Sequence, residues 1–351
     1  MRFLPALCLL AAVSCIEMPE SGGKKEENND NNTVTVPAFA KGADISWVTE
    51  MESKGYGFYS STGLPIECTA LMKELGCNAI RLRVWVNPAD GWCNKEDVLE
   101  KAKRASKQGM ALMIDFHYSD WWADPGKQNP PAAWKDMNVR EMASALEAHT
   151  KEVLQLLKDN KIDVAWVQVG NETNTGMCWP NGSVSSQSAQ GFVTLANAGY
   201  KAVKEIYPSA LVILHHSNAQ EYAANEWFYG LVGAASYDMI GLSLYPSYWQ
   251  DGQDGGYPDW TPFCKAAVEN FAKLNQKFKK PVMLVEFGMP ASEPDKAKAA
   301  FQYVLDGVKG KDWFKGVFWW EPESEQSRNG YPYGAFKDGK SIGVIELFKN
   351  Y

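Results

Sequence analysis

Histidine is scarce in this 351-residue chain: His117, His149, His215 and His216 are all there is. Four imidazoles leave no visible histidine-rich metal centre. Basic residues gather no further than adjacent pairs such as Lys24-Lys25 and Lys279-Lys280, and the formal net charge is −7. Such a chain offers a phosphate backbone no electropositive face, which argues against nucleic acid as a partner. No phosphate-cradling glycine loop follows the first strand-like stretch, which counts against the nucleotide-binding open sheets. The N-terminal apolar run from Phe3 to Val13 is too short to cross a bilayer. Of seven cysteines, Cys8 and Cys15 fall in that N-terminal segment, leaving Cys68, Cys77, Cys93, Cys178 and Cys264. An odd number at irregular spacing, in a chain long enough for a large core, implies no disulfide framework.

What is present begins at the N-terminus. Met1-Arg2 and the apolar run read as a secretory signal ending in Ala-Ala-Val-Ser-Cys15, which is similar to a bacterial lipobox, with Ala12 where leucine is commoner. Cys15 is then expected to carry a lipid and become the mature N-terminus, giving an exported cell-envelope lipoprotein at the outer-membrane surface. An ordinary cleaved signal and a soluble secreted protein is the competing reading. Residues 16–38 are polar and Asn-rich, the composition of a solvated tether. Residues 39–351 remain for one large domain, with a monomer the default expectation.

Within that domain strand-like and helix-like stretches alternate without a break in composition. Strands are expected at 42–46, 78–86, 110–117, 166–172, 211–216, 239–245, 282–288 and 316–320. Helices are expected at 65–75, 95–108, 139–160, 187–207, 221–231, 263–278 and 295–308. The stretch 139–160 is amphipathic, with Met142, Leu146, His149, Val153 and Leu157 on one face, so His149 reads as a core residue. Repeated βα units call for a parallel sheet with right-handed crossovers, and eight of them suggest a (β/α)₈ TIM barrel, a single α/β domain.

In such a barrel the functional residues gather at the strand C-termini. There the chain places Asp44, Arg83, Asp115 with His117, Asn171 with Glu172, His215 with His216, Tyr245, Glu286, and Trp320 with Glu321. Two carboxyls stand out because each ends a buried strand: Glu172 after Trp166–Gly170, and Glu286 after Pro281-Val-Met-Leu-Val. Cleaving a glycosidic bond needs a proton for the leaving oxygen and a carboxylate to trap or stabilise the cationic centre, so a carboxyl pair suits that chemistry. The 14 Trp and 15 Tyr add platforms on which sugar rings stack. Trp121, Trp122, Trp179, Trp249 and Trp260 lie in loops of the expected catalytic face, where they would line an open cleft. Arg83 is the expected cation stabilising the nucleophile, with His215 a lesser one. Asp115 and His117, two apart on one strand, point the same way and suit sugar contact or support of the centre. Asp251 and Asp254 in the long sixth loop are the oxygen donors for a possible calcium, although Asp-Gly pairs more often make simple turns. No organic cofactor is called for.

Five stretches carry a resemblance. KGADISW, IRLRVWVNPADG, DFHYSDWWADPGKQ, VGNETNTGMCWP and FWWEPE, spanning residues 41 to 323, are similar in order and spacing to glycoside hydrolase family 53, the endo-β-1,4-galactanases. The resemblance implies a retaining endo-acting hydrolase of β-1,4-galactan in pectin side chains. It implies Glu172 as general acid/base, Glu286 as nucleophile, Asn171 as the amide contacting the sugar 2-hydroxyl, Tyr245 as the residue holding the nucleophile, and Trp320 as the floor under the sugar. Asp44, Arg83, Asp115, His117, Trp122 and His215 complete the expected substrate-binding set. Phe-Gly-Met-Pro after Glu286 departs from the family, in which threonine and an aromatic are common. Two alternatives stand beside this reading: a β-mannanase or β-glucanase with the same machinery, and a non-catalytic glycan-binding surface lipoprotein.

Overall fold

The computed structural model describes residues 36–247 and 259–351. Cys15, the signal segment, nearly all of the tether, Trp249, Asp251 and Asp254 lie outside the described residues. Eight parallel strands close into a barrel: β1 (Ala40–Asp44), β2 (Ala79–Val84), β3 (Ala111–Phe116), β4 (Trp166–Val169), β5 (Leu211–His216), β6 (Met239–Leu244), β7 (Val282–Phe287) and β8 (Phe314–Trp320). Each pairs with its neighbour in sequence, and β1 closes the ring between β8 and β2. Around it run α1 (Val48–Ser53), α2 (Cys68–Glu74), α3 (Lys95–Lys107), α4 (Val139–Asp159), α5 (Gln190–Ile206), α6 (Tyr222–Leu231), α7 (Thr261–Phe278) and α8 (Pro294–Val308). The expected (β/α)₈ architecture is what the chain adopts.

Helix starts follow local chemistry. Asn138 and Glu141 form a reciprocal capping box that opens α4, and Asn94 caps α3 through the amide of Asp97. The expected helix at 65–75 begins later than its composition suggests. Pro65–Ile66 pairs antiparallel with Phe58–Tyr59, and the Glu67 carboxylate then caps the amides of Thr69 and Ala70 to open α2. A cap at Glu67 overrides the apolar spacing that favours an earlier start.

Side-chain alternation divides the barrel wall. Outward residues such as Ile80, Leu82, Ile114, Val167, Leu214 and Leu242 pack against the helices. Inward residues at the lower end, including Ala79, Met113, Trp166, Ile213, Met239, Met283 and Phe318, form a separate apolar floor. Small residues make room for the rings: a Cβ on Gly42 would lie 2.1 Å from the Phe318 ring, so the floor excludes even alanine there. Burying each large floor side chain contributes roughly 2–3 kcal/mol.

The alternation breaks on β7, at the strand that carries Glu286. On β7, Val282 and Leu284 face the helices while Met283 and Val285 face the floor. Strict pleating would turn Glu286 outward. Instead the register with β6 jumps from Leu242↔Leu284 to Ser243↔Glu286. Val285 is the extra residue of a β-bulge, and the bulge brings Glu286 inward directly after it.

Candidate active site

Above the apolar floor the inward positions become polar. Arg81 on β2 is the centre of this layer, 0 % exposed. Its Nη1 donates to Asp44 at 2.6 Å, and its Nη2 lies 2.9 Å from both Asp115 and Glu286. The same Nη2 approaches Gln168 Oε1 at 3.2 Å and Asn171 Oδ1 at 3.1 Å. Three carboxyls therefore converge on one guanidinium. Burial opposes this charge, but Asp115, Glu286 and Asp44 outweigh burial and keep Arg81 ionised.

Glu172 and Glu286 meet at the barrel mouth in contrasting surroundings. Glu286 is 5 % exposed and accepts a hydrogen bond from the Tyr245 hydroxyl at 2.8 Å, besides its contact with Arg81. Burial raises its acid to about 7, opposed by Arg81 and Tyr245. Glu172 is half-buried and, among the described residues, pairs with no cation at contact distance, Arg81 acting on it only from further off. Burial raises it to about 8, the negative charge of Glu286 adds to this, and a hydrogen bond with Ser243 opposes it weakly. The two titrate as one system, in which the lone proton favours Glu172 and the charge favours Glu286.

The turn delivering Glu172 is strained and braced. Gly170 has φ 89° and Glu172 φ 44°; the left-handed region costs a side-chain-bearing residue about 1–2 kcal/mol. Bracing comes from Gln128, whose Nε2 donates to the Asn171 carbonyl at 2.8 Å, and from the Thr173 amide on the His215 carbonyl at 2.8 Å. The Glu172 amide donates to His215 Nδ1 at 3.2 Å, and Gln168 Nε2 to the same atom at 2.8 Å. Two donors on Nδ1 place the imidazole proton on Nε2, which faces Ser243 Oγ at 2.7 Å. Burial, with Arg81 adding, holds His215 well below the ordinary histidine range, so it is neutral. Asn171 Nδ2 donates to the Ala123 carbonyl at 2.8 Å, which leaves its second N–H for a ligand.

The structure brings all the expected site residues to the upper barrel but sorts them into two groups. Glu172, Tyr245 and Trp320 line a cleft of about 480 Å³ with Asp124, Ser247, Tyr331 and Tyr333. Asp44, Arg83, Asp115 and His215 are 0, 1, 0 and 0 % exposed, so they support the site rather than meet a sugar directly. His117, 3 % exposed, bonds Asp115 through Nε2 at 3.1 Å and accepts the Ala123 amide on Nδ1. The stabilising cation needs correction: Arg81 contacts Glu286, while Arg83 pairs with Glu321 at 2.8 Å. His215 is likewise no cation. His216 points outward and packs on Phe228, ring centroids 4.9 Å apart.

Among the loop tryptophans, Trp122 packs on Trp320 at 5.9 Å and Trp121 is 50 % exposed beside Trp85. Trp260 departs from expectation, packing on Tyr303 of α8 at 5.8 Å. Gln168, Ser243, Trp47 and Glu323 belong to the site region without having been expected. Gln168 carried a signal, being the polar interruption of an apolar strand. A larger cavity of about 750 Å³ lies between α3 and α4, lined by Trp134, His149 and Glu152. Its two carboxyls, Glu96 and Glu152, are solvent-exposed and share Lys95, so neither is set apart for acid or nucleophile work, and the chemistry points to the smaller cleft. The five cysteines from Cys68 to Cys264 are free and buried.

Two carboxyls in contrasting surroundings, Glu172 lining a cleft floored by tryptophan and Glu286 behind it on Arg81 and Tyr245, suit protonation of a leaving oxygen and attack on the carbon that bears it. Comparison with known proteins agrees with this chemistry. A family model described as glycosyl hydrolase family 53 matches residues 40–315. A probable arabinogalactan endo-β-1,4-galactanase A of Aspergillus terreus is 31% identical over 308 residues, covering 80% of this chain and 85% of that protein. An endo-β-1,4-galactanase of Bacillus subtilis is 32% identical over 245 residues, covering 67% of this chain and 54% of its own. A solved fungal β-1,4-galactanase superposes with TM-score 0.78 at 25% identity, covering 88% of this chain and 98% of the other.

Proposed function

The chain belongs to glycosyl hydrolase family 53, and from that premise we propose that it cleaves internal bonds of β-1,4-galactan, such as pectin side chains, with retention of configuration. The observation that carries the reading is the contrast between Glu286, held by Arg81 and Tyr245, and Glu172, half-buried and in contact with no cation among the described residues. In the first step Glu286 attacks the anomeric carbon while Glu172 gives its proton to the departing oxygen. A glycosyl ester on Glu286 results. In the second step Glu172, now a carboxylate, takes a proton from water, and that water displaces Glu286. Asn171 presents its free N–H to the sugar 2-hydroxyl, and Trp320 forms the floor beneath the ring. Arg81 and Tyr245 keep Glu286 anionic and receive it again when the ester breaks.

Linear β-1,4-galactan incubated with the protein should yield a ladder of short galacto-oligosaccharides over time, read by chromatography, with mannan, xylan and cellulose untouched. Cleavage of mannan or cellulose in place of galactan would keep the carboxyl pair and overturn the substrate. Binding without cleavage of any polymer would leave a glycan-binding protein.

The pH profile tests the division of roles. Activity on galactan should rise as Glu286 ionises and fall as Glu172 loses its proton, with the alkaline limb near the value of about 8 to which Glu172 is raised. In Glu286→Gln the neighbouring charge is gone, the carboxylate of Glu172 is stabilised, and its midpoint by carbon NMR should fall. A midpoint that stays or rises would contradict the coupling.

A further inference from the structure

Arg83 lies two residues above Arg81 on β2, in surroundings of a different kind. Its Nη1 donates to Glu321 Oε1 at 2.8 Å, and Glu321 Oε2 accepts the Trp47 amide at 3.1 Å. Among the described residues its Nε and Nη2 have no hydrogen-bond partner. What they meet instead is aromatic: the guanidinium carbon is 4.2 Å from the Trp122 ring centroid, 4.9 Å from Trp85 and 5.4 Å from Trp47. Trp47 and Trp122 both pack on Trp320, at 5.2 and 5.9 Å, and Trp320 lines the cleft with Glu172. Glu323 is fully buried beside Glu321.

A buried arginine with one carboxylate partner and two unbonded groups is a poor source of stability, since an apolar side chain would fill the space without desolvating an ion. What a planar cation does that an apolar chain cannot is select the tilt of the rings against it. We propose that Arg83 is a positioning residue: pinned by Glu321, it sets the tilt of Trp122 and Trp47 and through them holds Trp320 as the floor under the sugar. Its kinetic consequence rests on the galactanase reading; its effect on the tryptophans does not.

Two variants test it. Arg83→Met with Glu321→Gln removes both charges together and leaves no unpaired buried ion, while Arg83→Lys keeps the charge and loses the plane. Both should alter the exciton band of the coupled indoles in circular dichroism while the barrel's secondary-structure signal persists. Both should raise KM for galactan about tenfold with kcat changed less than about threefold, and with the limbs of the pH profile unmoved. An unchanged indole band and KM in a folded variant would overturn the proposal. So would wild-type behaviour of Arg83→Lys, or a displaced acid limb, which would make Arg83 an electrostatic partner of the carboxyls. If the wild-type protein cleaves no galactan, the functional reading fails while the indole band still decides the role of Arg83.

Discussion

Glu286→Gln should lower kcat on galactan on the order of 10⁵-fold, about 7 kcal/mol of transition-state stabilisation, while oligosaccharide binding by calorimetry stays near the wild-type value. An amide of the same shape keeps a hydrogen-bonding group before Tyr245 and Arg81, but it has no lone pair basic enough to form the ester. Glu172 replaced by alanine should behave differently. Glycosyl-enzyme still forms from substrates with good leaving groups, so the defect grows with leaving-group basicity. Azide separates the two residues. With Glu286→Ala, azide enters the vacated face in a single displacement and gives a product of inverted configuration. With Glu172→Ala it intercepts the ester and gives a retained one. Ordinary activity in Glu286→Gln, or the same azide product from both variants, would sink the assignment of roles.

Arg81→Met should be both inactive and much less stable, with melting lowered on the order of 10 °C. The methionine fills the volume but leaves Asp44, Asp115 and Glu286 without the cation they share at 2.6, 2.9 and 2.9 Å. Breaking a buried pair by removing one partner costs about 3–5 kcal/mol. The sign of its pH dependence follows from the carboxylates. In the native protein Asp115 is buried, yet Arg81 and His117 hold its acid below the ordinary value. Its contribution is therefore present above the unfolded pKa and lost as pH falls through the folded one. Without Arg81 the same carboxyls resist ionisation. The gap in stability between variant and wild type should narrow as pH falls and widen as it rises, which calorimetry at several pH values reads directly. A gap independent of pH would mean that the loss is one of packing.

Much of this was legible in the chain because barrel strands announce themselves by apolar runs that end in polar residues. The strand at 211–216 was expected where it lies, and so were the strand ends carrying Asn171, Glu172 and Glu286. What pattern cannot carry is depth and rotation. Arg81 and Arg83 share one face of one strand, and only the stagger of neighbouring strands decides that the lower one reaches Glu286. Nothing in Val-Met-Leu-Val-Glu declares a bulge, because each of the four residues before the carboxyl suits either face. Glu321 is expected at the end of the last strand, but that it is buried there against Arg83 and the Trp47 amide, with Glu323 buried beside it, is a tertiary event without a local signature. Trp260 sits at a helix start, where sequence shows a loop and the fold shows α8 beside it.

The layered interior also determines how the molecule meets salt. Below the ring of Arg81, Asp44, Asp115 and Glu286 lies the floor of Trp166, Phe318 and Met239, which admits no ions, and the wall around it is sheathed by helices. Among the described residues the open approach for counter-ions is the cleft, and at physiological ionic strength, where screening extends over about 8 Å, pairs this deeply enclosed are screened far less than exposed ones. Surface pairs such as Lys54 with Glu50 or Lys277 with Glu226 face the solution directly. The protein thus has two electrostatic populations, an outer one that yields to the ionic medium and an inner one that carries the chemistry with little regard to it.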